Sequence, residues 1–124
     1  MKRVLVVDDD RLVADTISLV FRANGFDAEA TYSAAEGLER ARTFSPELLL
    51  TDITMPERTG LDLVQDFNRE RPECELLMLT AYSSNLAKVR RASMEMKREL
   101  KVLNKPVRPE DLLEEAGELL RRPA

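Results

Sequence analysis

Apolar residues in this chain fall into short unbroken runs, and each run is followed by a segment whose apolar residues recur at helical spacing. Val4–Val7, Leu48–Leu50, Leu76–Leu79 and Val102-Leu103 carry no polar interruption, the pattern of strands covered on both faces in a parallel sheet. Phe26, Ala28 and Ala30 alternate with Asp27, Glu29 and Thr31, which predicts a half-exposed edge strand. Between these runs, Leu12, Val13, Ile17, Val20 and Phe21 share one helical stripe, closed by Asn24-Gly25. Ala34, Ala35, Leu38 and Ala41 form a second stripe, and Leu61, Val64 and Phe67 a third that stops near Pro72. Leu86, Val89, Met96 and Leu100 fit a fourth helix, long or tilted and rich in Lys and Arg. Leu112, Leu113, Ala116, Leu119 and Leu120 form a fifth, opened by Pro109-Glu110-Asp111.

Five strands alternating with five helices predict an α/β domain: a doubly wound, five-stranded parallel sheet with helices on both faces. Right-handed crossovers with a single switch point make 2-1-3-4-5 the expected, flavodoxin-like strand order, adopted from that known class of fold. The 124 residues suit one domain, expected to span 1–122, with 123–124 a tail or the start of a linker.

Composition narrows the chemistry. There is no histidine, so a Ser-His-Asp triad, a histidine metal ligand and a phosphohistidine within the chain are all excluded. Cys74 stands alone, which rules out an internal disulfide and makes it a bystander near a turn. A net charge of −4 and a pI near 5.0 argue against a general nucleic-acid surface. Asp8 cuts the run after Met1-Lys2-Arg3 too early for a signal-peptide core, and no apolar stretch is long enough to span a bilayer. A cytoplasmic location is therefore expected. Lys88, Arg90, Arg91, Lys97 and Arg98 read as a solvated helix face, and Met94 and Met96 cannot both face a core at helical spacing.

In open α/β sheets, ligands bind beyond the carboxyl ends of the strands. The residues there are Asp8-Asp9-Asp10 after strand 1, Thr51-Asp52 at strand 3, Thr80-Ala81 at strand 4 and Asn104-Lys105-Pro106 at strand 5. The expected order gathers carboxylates, a hydroxyl and an ammonium around one crevice. Clustered carboxylates repel one another unless a cation lies between them, and an all-oxygen set suits a hard ion such as Mg²⁺. Each residue also has an ordinary reading. Asp10 is fully explained as a helix N-cap; Asp8 and Asp9 could share that role, Asp52 could be a turn residue, Lys105 an ion-pair partner and Thr80 a cap. All of these would have to hold together for the site to vanish.

Val4-Leu5-Val6-Val7-Asp8-Asp9-Asp10, Leu48-Leu49-Leu50-Thr51-Asp52-Ile53-Thr54-Met55-Pro56, Leu79-Thr80-Ala81 and Lys105-Pro106 resemble, in order and over essentially the whole chain, the signature blocks of response-regulator receiver domains. The resemblance implies that Asp52 is the phospho-acceptor. It implies that Asp9 binds Mg²⁺ directly, Asp8 largely through water, and the Thr54 backbone carbonyl as the remaining protein ligand. Lys105 would pair with the phosphoryl group, and Thr80 would turn towards it as the switch. Gly60 matches the loop after the acceptor, and Pro106 the family's cis-proline. The implied donor is a phosphohistidine on a sensor histidine kinase or phosphotransfer protein, and the implied output is a downstream protein target. Such a chain promotes its own phosphotransfer and autodephosphorylation without being a conventional turnover enzyme.

Two departures stand out. The family's aromatic three positions before the lysine is Val102 here, which has no hydroxyl and little bulk. Ser93–Leu100 occupies the place of the usual small Gly-Ala turn before strand 5. The output face around helix 4 and strand 5 is therefore expected to be atypical. Thr54 and Tyr82 each lie two residues past a site residue, and the bulk of Tyr82 is expected to slow phosphoryl loss. Two other classes compete: a phosphate-independent pseudo-receiver, and an aspartate-nucleophile phosphatase. The latter needs a carboxylate two residues after the nucleophile, where this chain has Thr54.

Overall fold

Five parallel strands form one sheet in the order β2-β1-β3-β4-β5 in the structure, a computed structural model that describes residues 1–121. The strands are β1 (Arg3–Val7), β2 (Asp27–Thr31), β3 (Leu48–Asp52), β4 (Glu75–Thr80) and β5 (Lys101–Asn104). They alternate with α1 (Arg11–Ala23), α2 (Ala34–Phe44), α3 (Gly60–Glu70), α4 (Leu86–Met96) and α5 (Pro109–Arg121), with a 3₁₀ turn at Ser83–Asn85 before α4. The expected strand order and all ten elements are present. The boundary and tail expected at 122–124 lie outside the described residues.

Successive side chains of a strand point to opposite faces, so each buried run supplies two cores. Leu5, Val7, Leu49, Leu76 and Met78 pack with Phe44, Leu63 and Phe67 on one face. Val4, Val6, Leu48, Leu50, Leu77 and Leu79 pack with Phe21, Leu112 and Leu119 on the other. Helices α1 and α5 therefore cover one side, and α2, α3 and α4 the other. Cys74 is fully buried in the first core, where desolvation pushes its thiol up to about 12. An unreactive bystander is what that position makes of it.

Side chains cap the starts of α1, α2 and α3. Asp10 accepts the Leu12 and Val13 N–H groups, Ser33 accepts that of Glu36, and Thr59 with Asp62 forms a reciprocal capping box.

Several expectations need correction. The buried face of α1 is Ala14, Ser18 and Phe21, while Leu12 is 77% exposed at the rim of an apolar groove shared with α5. The helix turns Ala14, Ser18 and Phe21 to the sheet and leaves Leu12 at its periphery. Likewise Ala35 is exposed, and Gly37 takes its place against Val7, where a Cβ would lie 2.8 Å from a Val7 methyl. Thr31 is buried, its hydroxyl directed to the Val6 carbonyl, so β2 does not alternate cleanly. β5 is the half-exposed edge strand opposite β2 and is not covered on both faces.

α4 does not run long. It stops at Met96, where Lys97 turns left-handed (φ 53°) and the Ser93 hydroxyl donates to the Arg98 carbonyl. Leu100 is thus outside the helix. Arg98 also leaves the expected solvated face: its guanidinium donates to Asn68 Oδ1 and to the Pro72 and Cys74 carbonyls. Lys88, Arg90, Arg91 and Lys97 do face solvent, and of the two methionines Met94 is exposed and Met96 half-buried.

Candidate functional site

Register decides which strand ends meet. Val7 is level with Thr51, Asp52 with Leu79, and Thr80 with Asn104. Asp8, Asp52, Thr80 and Lys105 therefore emerge side by side, as ladder bonds run on into the loops. Ile53 N–H donates to the Leu79 carbonyl, and Lys105 N–H to the Thr80 carbonyl.

One carboxylate oxygen from each of Asp8, Asp9 and Asp52 lies within 4.8 Å of the others. Asp8 is 2% exposed, with Oδ1 accepting the Asp10 N–H and Oδ2 accepting Lys105 Nζ at 2.9 Å. The same ammonium is 3.4 Å from Asp52 Oδ2. Asp9 faces solvent. Lys105 and Pro106 are joined by a cis peptide bond.

Burial is the main influence on Asp52 and raises its carboxyl above the ordinary aspartate value. The neighbouring Asp8 adds to that rise, while the Lys105 charge and hydrogen bonds from Lys105 and the Thr54 backbone oppose it. Burial works against the Lys105 charge, but its bond to Asp8 and the charges of Asp52 and Asp8 prevail and raise it. The ammonium thus stays charged between two carboxylates. One cation against three acidic groups leaves a deficit of positive charge, the condition that a divalent ion relieves. The donor set is entirely oxygen and half open to solvent through Asp9, which fits Mg²⁺, an ion that keeps several waters.

Thr80 is fully buried, and its hydroxyl bonds to the Tyr82 backbone and to Asn85. Thr54 sits in the loop beyond β3 and is exposed, its hydroxyl accepting from the same Asn85. Val102 packs half-buried against the core. Sequence reasoning misses Asn85: an Asn opening a helix reads as a cap, and nothing local reveals a contact 31 residues away.

The sequence profile of the response regulator receiver domain matches residues 4–116. The chain belongs to that family, the receiver domains of two-component response regulators, whose organisation is consistent with phosphorylation-dependent switching. Among curated relatives, it is 32% identical over 120 residues to response regulator MprA of Mycobacterium ulcerans, covering 97% of this chain and 50% of that protein. It is 29% identical over 122 residues to the acid tolerance regulatory protein ActR of Rhizobium meliloti, covering 98% and 60%. The chain thus spans 50–60% of the length of these relatives. Among solved structures, a CheY-like receiver domain protein from Methanospirillum hungatei superposes with a TM-score of 0.87 at 32% identity, over 97% of this chain and 94% of that one. Chemotaxis protein CheY4 of Vibrio cholerae gives 0.85 at 26%, over 96% and 98%.

Proposed function

We propose that this chain is a cytoplasmic switch that accepts a phosphoryl group on Asp52 with Mg²⁺, from a phosphohistidine on a sensor histidine kinase or phosphotransfer protein. A downstream protein would read the phosphorylated state. The observation that carries this reading is the gathering of Asp8, Asp9, Asp52 and Lys105 at adjoining strand ends. In the proposed step an Asp52 carboxylate oxygen attacks phosphorus, the O–P bond forms, and the N–P bond of the donor breaks as its imidazole leaves. Phosphoryl transfer depends mainly on positioning and on neutralising the transferred oxygens. Lys105, held by Asp8, would supply a point charge to those oxygens. Asp8, Asp9, Asp52 and the Thr54 backbone carbonyl would hold Mg²⁺, which supplies the remaining positive charge. Thr80 would donate its hydroxyl to a phosphoryl oxygen. Thr54 in place of a second carboxylate speaks against phosphatase turnover.

The test is incubation with acetyl phosphate and Mg²⁺, read by intact mass. Gain of one phosphoryl group is expected, falling by roughly a hundredfold or more in rate when EDTA removes the metal. Unmodified protein after prolonged incubation with Mg²⁺ would leave a phosphate-independent interaction module as the better reading.

Tyr82 is 59% exposed, and its own backbone is bonded to the Thr80 hydroxyl; from there its bulk would obstruct a hydrolytic water. Tyr82→Ala is expected to shorten the phosphoryl lifetime roughly threefold or more. Equal decay of radiolabel in the two proteins would refute that role.

A further inference from the structure

We propose that Asn85 is a positioning residue: its side-chain amide latches the Thr80 hydroxyl away from Asp52 and ties release of that hydroxyl to the first turn of α4. The proposal deepens the phosphorylation reading above and rests on it. Asn85 occupies the N-cap position of α4, where Asn is among the best capping residues, yet its side chain caps nothing. Instead the buried amide donates to Thr80 Oγ1 at 2.9 Å and to Thr54 Oγ1 at 3.2 Å. Both N–H bonds are thereby used, and the residue that gives up its local role joins the loop after Asp52 to the end of β4.

The Thr80 hydroxyl is saturated by this arrangement. It donates to the Tyr82 carbonyl at 3.0 Å and accepts from the Tyr82 N–H at 3.0 Å as well as from Asn85. One donor and two lone pairs are all that a hydroxyl has. To donate to a phosphoryl oxygen, Thr80 must abandon the Tyr82 carbonyl and rotate, leaving one Asn85 N–H buried without a partner. An unsatisfied buried donor is costly, and the backbone that can move to satisfy it is the 3₁₀ turn and start of α4 on which Asn85 itself sits. Val102, whose side chain lacks a polar atom, has no part in this relay. The connection from Thr80 to the α4 surface therefore runs through an amide on α4.

Asn85→Leu keeps the side-chain size and removes both donors; Asn85→Ala serves as the second variant should the first fold poorly. In the unphosphorylated protein, NMR couplings and methyl shifts are expected to show one Thr80 rotamer in the wild type and rotamer averaging in the variants. With Mg²⁺, beryllofluoride, a mimic of an aspartyl phosphate, is expected to bind the variants roughly tenfold more tightly. That gain should vanish in a Thr80→Val background, which a merely structural role for Asn85 would not predict. An unchanged Thr80 rotamer in both variants, or the same gain in the Thr80→Val background, overturns the latch. If the wild type takes up no beryllofluoride, the phosphorylation reading fails, and the latch is judged by the rotamer measurement alone.

Discussion

Asp52→Asn is expected to lose covalent phosphoryl uptake from acetyl phosphate by at least about a thousandfold while becoming more stable. The amide is nearly isosteric but is no nucleophile towards phosphorus, and neither Asp8 nor Asp9 stands where Lys105 and the β3 end place Asp52. The gain in stability follows from linkage. Burial first, and Asp8 next, hold the Asp52 carboxyl above the ordinary aspartate value, so as pH rises the unfolded chain releases this proton before the folded one does. Stability attached to Asp52 is therefore complete below the unfolded-state value of about 3.9 and is lost as pH climbs through the raised folded value. At neutral pH in EDTA, the Asp52→Asn variant should unfold with a free energy higher by on the order of 1 kcal/mol. The difference should shrink as the buffer is acidified towards the ordinary aspartate range. Lys105 does not lose its anchor in the variant, because Asp8 still accepts from it at 2.9 Å. Urea titrations at two pH values check the sign, and a wild type more stable than the variant at neutral pH would contradict it. Retention of mass gain by the variant would move the acceptor elsewhere.

Gly60→Ala is expected to be the most disruptive single-methyl change. A Cβ there would lie 2.0 Å from the Asp52 carbonyl oxygen, 2.8 Å from its carbon and 2.9 Å from Ile53 Cα. All three are backbone atoms that no rotamer change can clear. The close approach is sealed by the Gly60 N–H, which donates to the Ile53 carbonyl at 2.8 Å. Adding the methyl forces the start of α3 away from the end of β3, at a cost of at least about 3 kcal/mol in urea unfolding. In the fraction that stays folded, acetyl-phosphate uptake should fall as well, because the displaced backbone carries Asp52. An unfolding midpoint equal to the wild type would show that α3 can shift freely. By contrast, Gly117 has only the far end of Arg121 at 3.4 Å, so Gly117→Ala is a mild control within α5.

Much of the architecture is legible in the chain itself. A run such as Leu48-Leu49-Leu50 has no polar face to give to water, and a stripe such as Leu112, Ala116 and Leu119 has one face to hide; both patterns are local. The site residues are accessible for a related reason. A polar residue directly after a buried run must emerge at the carboxyl end of the strand, so the order of residues is enough to put Asp8, Asp52, Thr80 and Lys105 at strand ends.

What local pattern could not supply was anything that depended on how closely two elements approach. Leu12 belongs to the apolar stripe of α1, but the sheet receives Ala14, Ser18 and Phe21, and Leu12 is left exposed. Arg98 counts as surface charge in a sequence, yet three acceptors from the α3–β4 region hold it. Asn85 looks like a cap and instead spans to Thr54. Sequence alone determined the alternation of buried strands and amphipathic helices, and the acidic and basic residues at their ends, because burial and periodicity are properties of neighbouring residues. Tertiary structure alone decided the register that brings Lys105 between Asp8 and Asp52, the glycine contact beneath the acceptor, and the Asn85 amide. Those are distances between separate elements, whether near or far in the chain, set only when the two cores have packed.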